Sequence, residues 1–198
     1  LELSRMRPPN RHRQAVFLVL VGVYTAALLL SIAAYDAGSR ALGLASLGLA
    51  VWLWQNDIAM VTIRQRGLTR FIAAGLLSGY VWLTVGGLLL LTYGGQGAGL
   101  IYDAQLHTVF VGFVFSMIFA HAPIILPAVS GRAVAYSPVF YSHLALLHAS
   151  LVVRITGDLL SIPAVRGWGG LFNALAIVLF LVNTIQGMRR GRKATAAT

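Results

Sequence analysis

Four histidines fall inside long apolar stretches of this sequence: His107 and His121 on one stretch, His143 and His148 on the next. Ionisable side chains in such surroundings are costly and rare, so each marks a candidate site. Arg154 and Asp158 accompany the second pair, and Gln55, Asn56 and Asp57 lie together on an earlier stretch beside Trp52 and Trp54. The chain has no cysteine, which excludes disulfides, iron–sulfur clusters, thiolate zinc sites and c-type haem attachment. Imidazole ligands without thiolate suit the iron of haem b, or copper.

Spacing sharpens this chemistry. His107 and His121 are 14 residues apart, about 21 Å along a helix axis, and in an unbroken α-helix they leave nearly the same face. That arrangement places one imidazole near each membrane surface, as in two-haem b-type cytochromes. The stretch bearing His143 and His148 follows after a turn near Arg132. Reflection about that turn puts His121 level with His143 and His148, and His107 level with Asp158. Three histidines at one depth predict a ligand set of His121, His148 and His143, with His121 and His148 as the preferred axial pair. His143 is then an alternate ligand or a hydrogen-bonding neighbour. Pro123 predicts a bend near His121, because proline cannot donate to the carbonyl four residues earlier.

The other polar residues take supporting roles. His107 either holds a second haem or metal, or bonds Asp158 or Asp103. Asp57, about 9 Å inside the second span, is expected to stand behind the histidine cluster, orienting a ligand or admitting protons. Arg154 and Asp158 are four apart, so a local ion pair is the default reading. Alternatively Arg154 binds a haem propionate or a quinone carbonyl, and Asp158 supports His107. Trp52, Trp54, Tyr93 and Trp168 read partly as interfacial aromatics. Gly112, Ser116 and Ala120 form a small-residue stripe, which predicts a helix-packing face.

These residues require helices to position them. The chain has 198 residues, of which 58% are hydrophobic and 10% charged, with a mean hydropathy of +0.80. A soluble domain carries about 25% charged residues, so this is an all-α integral membrane protein with no separate soluble domain. Six spans are predicted, over 14–35, 41–63, 70–93, 104–129, 137–161 and 168–188. Asp36, Gly38 and Ser39 should break the first pair, and the glycine-rich run 94–99 should form the third link. The domain organisation is a basic N-terminal segment 1–13, a transmembrane bundle 14–188 and a basic tail 189–198.

The net charge of +10 resembles a nucleic-acid signal, but its distribution is that of a membrane protein. Arg5, Arg7, Arg11, Arg13, Arg64, Arg66, Arg70, Arg132, Arg189, Arg190, Arg192 and Lys193 fall on one face of the predicted topology, and only Arg40 and Arg166 on the other. The positive-inside rule then places both termini in the cytoplasm. The expected partners are the lipid bilayer, other membrane subunits and a quinone, not nucleic acid. The basic tail also suits anionic lipid.

The stretch YDAQLHTVFVGFVFSMIFAHAPIILPAVSGR (102–132), with LALLHASLVVRITGDLL (144–160), resembles membrane proteins of the NnrS type. The shared features are a His near the start of a span, the Gly112–Phe113 pair after it, and a Pro…Gly-Arg link followed by an apolar helix with an Arg toward its end. NnrS-type proteins are relatives of the haem–copper oxidase catalytic subunit, associated with nitric-oxide metabolism and described as containing haem and copper. The resemblance implies a haem-binding fold with His107, His121, His143 and His148 as the matching candidates. The leading expectation is a b-type haem protein of a bacterial cytoplasmic (inner) membrane, transferring electrons with quinol or a diatomic gas such as nitric oxide. The alternative is a non-catalytic accessory subunit of a larger respiratory or photosynthetic complex. Whether the chain is catalytic, and by which residues, is left open. The few acidic residues in the spans disfavour an independent proton pump. The absence of an inverted repeat disfavours a transporter.

Overall fold

The structure, a computed structural model, describes residues 11–195. Arg5 and Arg7, and residues 196–198 of the tail, lie outside them. The described residues form helices and no strand: α1 Arg11–Ala33, α2 Tyr35–Asn56, α3 Ala59–Thr62, α4 Gly67–Tyr93, α5 Leu100–His107, α6 Phe115–Ser130, α7 Phe140–Leu159 and α8 Pro163–Thr195, with a π-helical segment at Thr108–Val114 joining α5 to α6. Four helical stretches are long and apolar enough to cross a membrane: Arg11–Ala33, Gly67–Tyr93, Leu100–Ser130 and Pro163–Arg192. Helices α2 and α7 have 22 and 20 residues, the length a crossing needs, but carry more polar side chains.

Neighbours in the chain pack as neighbours in space. α1 lies on α2, α2 on α4, α4 on the π segment and α6, and α7 on α8. The small-residue stripe does what its spacing predicts. A Cβ built on Gly75 would meet Ala120, and one on Gly79 would meet Ser116, so two small-residue faces let α4 and α6 approach closely. Ser116 and Ala120 are fully buried there.

The ends of the helices depart from the predicted breaks. The first break falls at Ala34, not at 36–39. Asp36, Gly38 and Ser39 lie in the first turns of α2, and a Cβ on Gly38 would collide with the Ser31 backbone. The second span unwinds at Asp57 rather than running to 63. Asp57 Oδ1 accepts the Ala59 N–H at 2.6 Å, which starts the short helix α3. The carboxylate therefore satisfies a helix start instead of interrupting a continuous span. α8 begins at Pro163, proline being well suited to a first helical turn, and continues through Arg189 and Arg192.

Two links meet at one end of the bundle. Asp36 accepts the Gly95 N–H at 3.0 Å and the Arg40 Nε–H at 2.9 Å, and Arg40 donates to the Leu91 carbonyl at 2.8 Å. Arg40, a loop charge in the sequence reading, thus caps the last carbonyls of α4. At the opposite end, Arg66 and Arg70 share a cavity with Tyr136 and Tyr141, and Arg132 shares one with Arg189 and Arg192.

Candidate functional site

The fourth span is not an unbroken α-helix. Across Thr108–Val114 the backbone adopts π-type pairing, and the Phe115 N–H reaches the Phe110 carbonyl. The wider turn departs from the α-helical step on which a shared face depends; His107 lies beside Asp103, and His121 lines a cavity with Asp57. π-segments of this kind are rare and recur at functional sites. Gly112 lies within it, and a Cβ there would collide with Trp82.

The three histidines expected at one depth do not converge. His143 is buried in an aromatic cage, with Phe71, Phe119, Phe140 and Phe180 ring centroids at 5.8, 5.0, 5.8 and 5.4 Å. Its Nδ1 lies 3.0 Å from Nδ2 of Asn183 on α8. His148 turns instead toward α4, where its Nδ1 accepts the Trp82 indole N–H at 2.9 Å. Indole nitrogen only donates, so the proton of His148 resides on Nε2. That tautomer has no lone pair at Nε2 for a metal. The Nε2 atoms of both rings are buried without a hydrogen-bond partner. His121 lines a cavity whose walls include neither His143 nor His148. No group of three or more His, Cys, Asp or Glu that could hold a metal ion is found among the described residues.

His121 has the opposite hydrogen-bonding pattern. Its Nδ1 lies 2.8 Å from the Met117 carbonyl, which accepts only, so Nδ1 carries the proton and Nε2 keeps a lone pair. The half-buried ring lines a cavity of about 670 Å³ together with Asp57, Thr62, Gln65 and Thr69, and with apolar walls from Ile72, Leu76 and Ile124. Asp57 Oδ2 accepts the Tyr80 hydroxyl at 2.8 Å, so the carboxylate is held from two sides. Tyr80 was not foreseen, because nothing in a single sequence aligns α4 with the start of α3.

The chain belongs to the DUF8744 family. That family is described as a domain of unknown function, and its model matches residues 1–189. No curated protein and no solved structure matches the chain.

A second polar cluster in this DUF8744 chain lies at the other end of the bundle. Asp103 Oδ2 accepts Arg154 Nη2–H at 2.8 Å and Nε–H at 3.1 Å, and its Oδ1 lies 3.4 Å from Arg166 Nη2. Arg166 Nε lies 2.8 Å from Asp158 Oδ1 as a charge contact without hydrogen-bond alignment. The local Arg154–Asp158 pair is thus replaced by pairs between helices. Arg154 reaches Asp103 on α5, and Asp158 takes Arg166 from the start of α8. His107 Nδ1 lies 2.8 Å from the Asp103 carbonyl and 3.5 Å from Asp103 Oδ2, the partner weighed for it over a metal. Two carboxylates facing two guanidiniums leave the cluster neutral before His107 is counted, which is how charges are tolerated at such depth. A glycine in place of a larger residue makes this possible: a Cβ on Gly157 would collide with the Arg166 backbone, and one on Gly169 with the Arg154 backbone.

Proposed function

We propose that this chain is a six-span protein of a bacterial inner membrane, with both termini cytoplasmic, that binds a quinol or quinone head group in the His121 cavity and works beside other subunits of an electron-transfer complex. The observation that carries the reading is the Nε2 lone pair of His121 on a cavity that also holds the Asp57 carboxylate. A quinol needs a base or acceptor at its hydroxyl, a donor or acceptor at the opposite oxygen, and an apolar slot for its ring and tail. His121 Nε2 supplies the first, Gln65 and Thr69 the second, and Ile72, Leu76 and Ile124 the third. Asp57, anchored by Tyr80 and the Ala59 N–H, lines the same cavity as a second acceptor.

The same lone pair favours a second reading, in which His121 makes a single axial bond to haem b or coordinates copper. A backbone carbonyl holding Nδ1–H is the usual support for a ligating imidazole, and the NnrS-type resemblance points the same way. The two readings differ in colour. We expect the purified chain to lack a Soret band and to be stabilised thermally by a short-chain quinone analogue, since a ligand that binds only the folded state raises its stability. His121→Ala and Asp57→Asn should lose that response. A pyridine haemochrome signal of haem b that disappears in His121→Ala replaces the quinone with haem. Colourless protein that ignores the quinone overturns both readings and leaves a packing subunit.

A further inference from the structure

The arginine-rich end of the bundle carries a site that shares no lining residue with the His121 cavity. A pocket of about 460 Å³ is lined by Arg132, from the link between α6 and α7, and by Ile185, Met188, Arg189 and Arg192 of α8. A furrow of about 450 Å³ between α6 and α8 shares Ile185 and Met188 with this pocket. It continues along Ile125 and Leu126 on one side and Phe180 and Leu181 on the other, and presents no polar surface.

Charge decides what fits the upper pocket. None of the described ion pairs involves Arg132, Arg189 or Arg192. Asp36, Asp103 and Asp158 belong to the opposite end of the bundle, and Asp57 lines the other cavity. The C-terminal ends of α6 and α8 contribute about half a negative charge each, against three full positive charges. The pocket is therefore cationic and selects an anion.

Depth decides what fits the furrow. From Phe180 to Arg192 is about 18 Å along α8, slightly more than the roughly 15 Å of one leaflet's hydrocarbon. When Arg192 stands at head-group level, the furrow runs through the acyl layer. A soluble anion would use the arginines and leave the furrow idle. An acyl chain alone would use the furrow and leave the arginines idle. Their junction at Ile185 and Met188 is what a two-part ligand requires.

We propose that this groove binds an anionic phospholipid, with its phosphate against Arg132, Arg189 and Arg192 and one acyl chain along the α6–α8 furrow. The test uses the full chain in neutral detergent, with bound lipid counted by native mass spectrometry. Phosphatidylglycerol and phosphatidylcholine of identical chains are titrated, with inorganic phosphate as competitor. We expect one phosphatidylglycerol to be retained where phosphatidylcholine is stripped. The triple variant Arg132→Gln, Arg189→Gln, Arg192→Gln should lose about a hundredfold in affinity, at roughly 1 kcal/mol per arginine near the surface. Leu181→Trp, which fills the furrow and leaves every arginine in place, should weaken phosphatidylglycerol as well. Equal retention of the two lipids overturns the proposal, as does a triple variant that holds phosphatidylglycerol like the wild type. Displacement by inorganic phosphate, or indifference to Leu181→Trp, makes this a soluble-anion site and equally overturns it.

Discussion

Trp82 on α4 donates its indole N–H to Nδ1 of His148 on α7 at 2.9 Å. The bond does two things at once. It ties the fourth helix to the seventh across the π segment, where Gly112 leaves room for the indole. It also fixes the proton of His148 on Nε2, because setting a second N–H against the indole would oppose donor to donor. His121, whose Nδ1–H donates to a carbonyl, has its free lone pair where His148 has a proton. Two histidines that look alike in the sequence thus have opposite chemistry.

Trp82→Phe should leave Nδ1 of His148 without a donor in a site closed to water. The expected loss is about 1–3 kcal/mol of stability, the cost of an unsatisfied buried polar group. His148→Leu in the same background should cost less than it does alone, since the shared bond has already gone. The double-mutant cycle is read by thermal unfolding in detergent, with a coupling of about 0.5–3 kcal/mol expected for residues in direct contact. Additive effects would mean that the indole and imidazole do not share a bond.

The all-helical character of the described residues, with helices long and apolar enough to cross a membrane, was legible because composition and the length of the apolar runs leave little else. The packing face toward α4 was legible for a similar reason: Gly112, Ser116 and Ala120 recur every four residues, and all three meet α4, at Trp82, Gly79 and Gly75. The histidine site was not. It required that the span 104–129 be one α-helix and that the fourth and fifth spans mirror each other about Arg132. A π segment at Thr108–Val114 breaks the first assumption, and no residue type announces it. The second fails because rotation of a helix about its axis is set by packing partners. Phe71, Phe119 and Phe180 claim His143, and Trp82 claims His148. Asp57 and His121 line one cavity, but Asp57 ends a span rather than lying within one, because its carboxylate starts the next short helix. Arg166 was counted as a loop charge because nothing in sequence brings the start of α8 against the end of α7.

Arg154→Gln should be among the more damaging single changes in the chain. It removes both guanidinium bonds to Asp103 Oδ2 and leaves the carboxylate with Arg166 at 3.4 Å. Breaking one partner of a buried pair costs about 3–5 kcal/mol, and the partial exposure of this pair should place the loss toward the lower end of that range. Asp103→Asn added to Arg154→Gln removes the stranded charge and should recover much of the stability. The measurement is the melting temperature of the single and double variants. A double variant less stable than Arg154→Gln would show that Asp103 is held by its other neighbours and not by Arg154.

The clustering of arginines gives the orientation a direct test. Arg66 and Arg70 share one cavity with the α6–α7 link, and Arg132 shares another with Arg189 and Arg192. Asp36, Arg40 and Gly95 join two of the three remaining links at the opposite end. Cytoplasmic loops carry the excess of lysine and arginine, so the first end should face the cytoplasm. The chain has no cysteine of its own, which makes single cysteines unambiguous reporters. A cysteine at Gly97 in the glycine-rich link should react with a membrane-impermeant maleimide added to intact cells. Cysteines at Gln65 or Ser130 should react only after the membrane is opened. With all six proposed spans crossing, the two ends lie on opposite faces, so labelling of Ser130→Cys but not Gly97→Cys would invert the topology. It would also put the His121 cavity in the outer leaflet, and any proton taken from a quinol there would leave on the outer side.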